Sequence, residues 1–543
     1  MNFFDDPILN SPYLLPQKHW ELDEDNRPTN RVTQTRRSSE LLTALPGASA
    51  TSDRAHTRSL FENVGLSTEA TEFNPSPIIN ELRQELDTWR RLPNPTQWKV
   101  TPTTQRLLQH WRALQIDDTR SIRPFFCQIE AVEAAIWLSE VAPEMGKRGQ
   151  RFLRWLNTAN NFAVQPEGAE PSAASPEILR VAFKLATGAG KTTVMAMLIA
   201  WQALNAVRAA NSRRFSKGFL VVTPGITIKD RLRVLQPNDP ESYYTRLNLV
   251  PQDLVPELQR ARIVITNYHA FKLRETFDAA KGTRLALEGH GEALQTTETE
   301  GQMIQRVMGD LMGLKNVVVI NDEAHHCYRE RPAAHEEILT GDDRKEAEEN
   351  KEAARLWISG IEALNRQQGV GVVYDLSATP FFLKGSNWPE GTLFPWVMSD
   401  FSLMDAIECG IVKLPRVPVA DNRMDGKKIP KKAKGDERPD PQKLPLELKV
   451  ALDALYGHYE KTFHLWEKEG VGVPPVFIVV CNNTTNSETV RDYIAGYPWT
   501  DEKGLEKIQE GALALFRNYD DHDQRLEKPK TRSHRARSSM FRL

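Results

Sequence analysis

Through the middle of the chain, short runs of uninterrupted apolar residues alternate with longer stretches at helical spacing. The runs are residues 181–185, 218–223, 261–267, 316–321 and 369–376. They lack the in–out alternation of a half-exposed strand, so both faces are predicted to be buried. An apolar helix over 194–204 follows the first run, and a charged helical stretch over 330–364 follows the fourth. Strands of this kind with helices between them predict a parallel α/β sheet. Upstream, Ile78, Leu82, Leu86 and Trp89 recur on one helical face before Pro93 and Pro95 interrupt it. Arg123-Pro124-Phe125-Phe126-Cys127-Gln128 leads into another helix through Glu130, Ala134 and Leu138.

The flanks read differently. Residues 1–75 are rich in Pro, Asn, Ser, Thr and charge, and 46–67 have so little apolar periodicity that they are expected to be flexible. Asn10-Ser11-Pro12-Tyr13 and His19-Trp20-Glu21-Leu22 are the anchors there, expected to lie on another domain. The pattern gives a helical lead-in over 76–120, a first α/β domain over 121–395 with a polar helical insertion at about 272–313, and a connector over 396–470. That connector holds a charged loop over 421–445, including Lys427-Lys428-Ile429-Pro430-Lys431-Lys432, which reads as solvated surface. An apolar run over 475–482, with a helix over 488–497 after it, reads as the opening of a second α/β domain over 471–525. Residues 526–543 read as a basic, disordered tail.

Length and charge narrow the class. A chain of 543 residues suggests about three to four domains. A net charge of -2 gives no global sign of nucleic-acid binding, so any basic surface must be local. The four cysteines are far apart and lack zinc-ligand spacing. The start, Met1-Asn2-Phe3-Phe4-Asp5-Asp6, is acidic and unlike a signal peptide, and no apolar run is long enough to span a bilayer. A reducing cytoplasm and no membrane are the expectation.

The candidate chemistry sits where the runs end. After the first come Ala186-Thr187-Gly188-Ala189-Gly190-Lys191-Thr192. Gly188 and Gly190 permit backbone turns that aim successive N–H groups inward, and a helix N-terminus follows, an arrangement suited to phosphate. Lys191 can reach the β- and γ-phosphates and the Thr192 hydroxyl can ligate Mg²⁺. The general pattern has glycine where this chain has Leu185. The fourth run ends in Asp322-Glu323-Ala324-His325. A carboxylate pair at the carboxyl end of a parallel strand faces the ligand crevice. There Asp322 can hold Mg²⁺ and Glu323 can orient and deprotonate a water. The alternative is an acidic helix start. His325, His326 and Cys327 are too close together on one segment to share a metal. The fifth run ends in Ser377-Ala378-Thr379-Pro380, whose hydroxyls can bond the carboxylate segment, though a Ser/Thr turn before proline is common.

In this order the motifs resemble the superfamily 2 helicases and translocases. Residues 186–192 are similar to motif I, Asp322-Glu323-Ala324-His325 to motif II of the DEAD/DEAH type, and Ser377, Ala378 and Thr379 to motif III, which couples the two. Thr223-Pro224-Gly225 resembles motif Ia and Ile265-Thr266-Asn267 motif Ib. The resemblance implies that Pro224, Gly225, Thr266 and Asn267 touch a nucleic-acid backbone, contacts that position without reading sequence. Phe125-Phe126-Cys127-Gln128 resembles the glutamine motif, in which Gln128 would meet the adenine edge; the alternative is an ordinary helix-start glutamine. With residues 321–328, 400–410 and 7–13, the likeness extends to the restriction subunit of type III restriction endonucleases, from about residue 5 to about residue 528. It implies a RecA-like P-loop motor domain, a second RecA-like domain and a nuclease, with ATP and Mg²⁺ as cofactors. Double-stranded DNA and a modification methyltransferase subunit are the implied partners.

The chain departs from that family after residue 475. Neither a motif VI arginine on a strand-supported turn nor a nuclease carboxylate–lysine cluster is legible, although Arg532 and Arg535 have a suggestive spacing. The expectation is an amino-terminal fragment with an incomplete second RecA-like domain, able to bind Mg-ATP and DNA but turning ATP over little. The alternative is a non-catalytic ATP-dependent module or remnant that docks a modification subunit.

Overall fold

The computed structural model describes residues 2–23, 26–40, 74–162, 178–209, 211–225, 230–276, 296–330, 342–388, 391–414, 440–481, 484–500 and 505–518. The chain divides into two compact units, Met1–Pro415 and Arg416–Leu543. The expected flexible stretch 46–67, most of the charged loop 421–445 and the basic tail 526–543 lie outside the described residues, as does much of the insertion at 272–313.

The first unit begins with an antiparallel pair, β1 (His19–Leu22) and β2 (Pro28–Thr33). Helix α1 (Ser76–Arg90) starts with proline in its first turn and buries Ile78, Ile79, Leu82, Leu86 and Trp89, the face read from the spacing. Helix α2 (Pro102–Ile116) is capped by Thr101, whose hydroxyl accepts the Thr104 N–H. Helix α3 (Phe126–Ile136) runs on into a π-turn over Trp137–Val141, and α4 (Lys147–Phe162) follows. Next come β3 (Arg180–Leu185), α5 (Lys191–Arg208), β4 (Gly218–Thr223), β5 (Arg262–Asn267) and a two-residue pair, β6 (Glu275–Thr276) with β7 (Thr296–Thr297). Helix α6 (Glu300–Met308), β8 (Val317–Asp322), α7 (Asp342–Gln368), β9 (Val370–Ser377), β10 (Val397–Phe401) and α8 (Leu403–Glu408) complete it.

Six strands form one parallel sheet in the order β10-β3-β9-β8-β4-β5. This is the parallel α/β core expected from the uninterrupted apolar runs, and it fits the RecA-like domain that the resemblance implies. Helix α5 is buried from Val194 through Ala206 because it lies between the sheet and other helices. Burial of each of its larger side chains, such as Met197, Leu198 and Ile199, contributes about 1.5–3 kcal/mol. The sheet extends past residue 395, where the sequence reading ends the first domain. Val397–Phe401 pairs with β3, and the Ala186 N–H beyond β3 donates to the Phe401 carbonyl at 2.9 Å.

The amino-terminal anchors dock on this same unit. Trp20 is fully buried with Phe3 and Ile407, and its N–H donates to Glu408 Oε1 at 3.0 Å. The Phe126 N–H donates to the Pro12 carbonyl at 2.8 Å. Arg36 grips Glu130 through two nitrogens, Arg37 pairs with Glu408 at 2.6 Å, and the Ser39 hydroxyl donates to Asp400 at 2.7 Å.

The sheet also carries a buried polar knot. Asp375 on β9 has no solvent exposure; it accepts from Arg180 Nε at 2.8 Å, Asn321 Nδ2 at 2.8 Å and Trp396 Nε1 at 2.9 Å. A second Arg180 nitrogen donates to the Cys327 carbonyl at 2.6 Å.

In the second unit, α9 (Leu446–Lys468), α10 (Thr484–Ala495) and an antiparallel hairpin, β11 (Gly496–Thr500) and β12 (Glu506–Glu510), surround a small core that includes Tyr459, Phe463, Ile494 and Phe516. The apolar run at 475–482 was read as a strand. Residues 475–481 instead have no ladder partner among the described residues: Phe477, Val479 and Cys481 pack on this core, while Val476, Ile478 and Val480 face solvent. A two-sided apolar strand needs neighbours on its edges and a layer on each face. The described residues of this unit supply one face only.

Asp375→Ala strands the Arg180 guanidinium in the core. The expected cost is about 3–5 kcal/mol, read as a lower urea midpoint for the first unit; an unchanged midpoint would show that the knot does not hold the sheet.

Candidate functional site

The loop after β3 is held from three sides. Gly188 and Gly190 have φ of +87° and +81°, a region that a side chain disfavours, and Gly190 caps α5. Leu185, in place of the usual glycine, is the last residue of β3 and fully buried, so the position belongs to the strand and an apolar side chain fits it. Val412 lies over the loop, where a Cβ on Gly188 would meet its Cγ2 at 3.3 Å. Gln128, near the start of α3, donates from Nε2 to the Ala189 carbonyl at 2.9 Å, while its Oε1 accepts the Phe125 N–H at 3.0 Å. Its amide is therefore largely spent on holding the loop, a role the sequence reading did not give it.

Glu323 follows β8 directly and has φ +52° and ψ +50°, a left-handed conformation that costs a non-glycine residue about 1–2 kcal/mol. The turn accompanies a direct contact with Lys191, whose Nζ lies 2.6 Å from Glu323 Oε1. The loop and the carboxylate pair, which are 132 residues apart in sequence, thus meet in one site. Asp322 beside them is nearly buried; that burial, and then the neighbouring Glu323 charge, push its carboxyl up to about 6. A buried strand-end carboxylate and a threonine hydroxyl in the first turn of α5, Thr192, are oxygen donors of the hard kind that Mg²⁺ takes.

His325 continues the chain toward β9. Its Nδ1 shares a hydrogen bond with Ser377 Oγ at 2.9 Å, and that Oγ accepts the Thr379 N–H at 3.0 Å. Burial, followed by the His326 charge, lowers His325 to about 4, so it is neutral at pH 7 and its 3.7 Å approach to Glu323 is not an ion pair. Ser377 and Thr379 are in this way joined to the carboxylate segment; Ala378 lies between them. Pro224, Gly225, Thr266 and Asn267 stand at the carboxyl ends of β4 and β5, the last two strands on one side of the sheet. There Gly225 O accepts the Thr223 hydroxyl, and Asn267 Oδ1 accepts the Ala270 N–H at 3.2 Å.

Arg180 and Asp375 are given no role in this region by the sequence, and Asn321 enters there only as the residue that precedes Asp322. The available signal was an aspartate inside an otherwise apolar strand, paired in register with an asparagine on β8. No group of three or more metal-ligating side chains occurs among the described residues, the adjacent histidines included.

Residues 122–369 match the family model for the type III restriction enzyme, res subunit. The match spans the loop, Asp322 and Glu323, and ends before β9, so that Ser377, Ala378 and Thr379 lie outside it. No curated protein and no solved structure matches the chain. No described helix is long and apolar enough to cross a membrane.

Gly190→Ala would place a methyl 2.2 Å from Gln128 Nε2 at a φ of +81°. The glutamine and the loop then part, and affinity for a triphosphate is expected to fall at least ten-fold, about 1.4 kcal/mol, by calorimetric titration. Affinity equal to wild type would show that the Gln128 contact does not shape the loop.

Proposed function

We propose, from the match of residues 122–369 to the family model for the type III restriction enzyme res subunit, that the first unit is an ATP-binding, DNA-binding motor domain. The observation that carries the reading is the Lys191–Glu323 contact at 2.6 Å. It brings the loop cation and the carboxylate segment to one point, where a γ-phosphoryl group would need both. The N–H groups of Gly188, Ala189 and Gly190, with Thr187 and the α5 N-terminus, would cradle the phosphate chain. Thr192 and Asp322 would hold Mg²⁺, which neutralises phosphate charge when bound. Lys191 would bind the β- and γ-phosphates, and Glu323 would orient the attacking water and accept its proton. Ser377 and Thr379, through His325, would relay movement of the carboxylate segment to the neighbouring strand end. Pro224, Gly225, Thr266 and Asn267 would contact the backbone of double-stranded DNA. A modification methyltransferase subunit is the partner this reading expects, in the cytoplasm.

Lys191→Ala removes the cation at the γ-phosphate. A charge-assisted contact of this kind contributes about 1.5–3 kcal/mol, so titration with a fluorescent ATP analogue should show affinity reduced by roughly ten- to a hundred-fold. Retained affinity would mean that the loop is not the nucleotide site.

Glu323→Gln keeps size and hydrogen bonding and removes the base. Single-turnover hydrolysis, with duplex DNA present, is expected to fall by about two to four orders of magnitude while ATP stays bound. Equal rates in variant and wild type would remove Glu323 from the chemistry.

A further inference from the structure

Exposed cations gather where β4, β5 and β8 begin. Arg213, Arg214 and Lys217 lead into β4, Arg260 and Arg262 stand at the start of β5, and Lys315 leads into β8. These strands are neighbours, in the order β8-β4-β5. Their leading segments are tied together: the Arg262 N–H donates to the Lys217 carbonyl at 2.7 Å, and Asn316 Nδ2 to the Arg213 carbonyl at 3.3 Å. Phe215 is buried edge-on against Trp201, and Ser216 Oγ accepts the Gly218 N–H at 3.0 Å. The cations are therefore displayed from a fixed backbone.

None of the six makes an ion pair among the described residues. The carboxylates just ahead of β5 are already taken, Asp253 by Arg106 at 2.7 Å and Glu257 by Arg208 at 2.8 Å. Asp310, exposed on the turn before β8, is too little to neutralise the group. Like charges held together repel, and in a chain of net charge -2 nothing in the composition forces them to one place. Within 211–217, 259–262 and 312–316, Met312 is the exposed large apolar side chain. The face thus offers charge with almost no apolar anchor. A protein interface or a membrane surface would need such an anchor, whereas a solvated phosphate backbone does not.

We infer that the amino ends of β4, β5 and β8 form a second DNA surface, which holds the backbone of a duplex without reading its sequence. It goes beyond the contacts proposed at Pro224, Gly225, Thr266 and Asn267, which stand at the opposite ends of β4 and β5. Each of those strands has six residues, so the two ends lie about 17 Å apart. Lys315, Lys217 and Arg262 lie on adjacent strands, in a row about 10 Å long. A duplex presents about six phosphate charges over that length. The surface also stands apart from the phosphate loop, which follows the carboxyl end of β3.

Anisotropy titration of the full chain with a short labelled duplex, at salt between about 50 and 200 mM, tests this. Lys217→Ala, Arg262→Ala and Lys315→Ala together should weaken binding at least ten-fold and reduce the slope of log affinity against log salt by about 2–3. The loss should be equal for two unrelated sequences, and Mg-ATP affinity should stay at the wild-type value. Lys217→Arg with Lys315→Arg, which keeps the charge, should bind duplex as wild type does. Unchanged duplex affinity and slope in the triple variant would overturn the inference. So would a parallel loss of Mg-ATP binding, which would give the three side chains a role in the fold. Poly-glutamate of matched charge that displaced the duplex as readily as unlabelled DNA would assign the face to an acidic protein instead. A wild-type chain that bound no duplex would also overturn it, and its Mg-ATP titration would then show separately whether the nucleotide reading stands.

Discussion

One buried carboxylate sets the geometry on which the rest of the first unit depends. Asp375 has no contact with water, so it is tolerable only with a cation and donors in place. Those come from separate elements: Arg180 from β3, Asn321 from β8, and Trp396 from the turn that leads into β10. A buried ion pair adds little net stability over an apolar set. Here, however, a one-residue slip of any strand would turn a partner to the other face and leave a charge alone. Because Arg180 also holds the Cys327 carbonyl, the register of the sheet and the path of the chain after Asp322 and Glu323 are fixed by one side chain.

The loop end of the site depends on a different tether. Gln128 reaches Ala189 from α3, and α3 is itself held by Glu130 and Glu133. Burial alone would raise the Glu130 carboxyl, yet the Arg36 and Arg90 guanidinium groups keep it well below the usual carboxylate range. Arg36 belongs to the amino-terminal segment. That segment therefore acts on the loop through α3, although it lies about 150 residues before it in sequence. It also acts from the β10 side, where Leu9 and Asn10 donate to the Glu408 carbonyl and Val412 lies over Gly188.

The central sheet was legible because its strands are buried on both faces, and such strands announce themselves as apolar runs. The loop and the Asp322–Glu323 pair stood out as candidates because residue types suited to phosphate recur there at short spacing, and the structure brings Lys191 and Glu323 together. Val397–Phe401 was not read as a strand: Ser399 and Asp400 break its apolar pattern, and Asp400 is buried only because Ser39 and Lys184 reach it from distant parts of the chain. The docking of Trp20 on Ile407 and Glu408 is likewise a contact across hundreds of residues, with no local signature. The run at 475–482 failed for the opposite reason. Its pattern specifies a strand, but pairing is a property of neighbours, and none of the described residues forms a strand ladder with it.

On the proposed function, the Lys191–Glu323 pair is what a phosphate must replace. Lys191 is mostly covered and Glu323 is about one-third exposed, so the pair is only partly screened by water. An arriving γ-phosphate brings more negative charge to Lys191 than one carboxylate does, and it is further held by loop N–H groups that Glu323 cannot engage. The exchange therefore favours the ligand. It also releases Glu323, which is then free to turn toward a water with neutral His325 beside it. In the pair, a Glu323 oxygen is occupied by Lys191; once displaced, it can accept a hydrogen bond from a water next to the group to be attacked. On this reading the same contact would hold Glu323 away from chemistry until a phosphate takes Lys191.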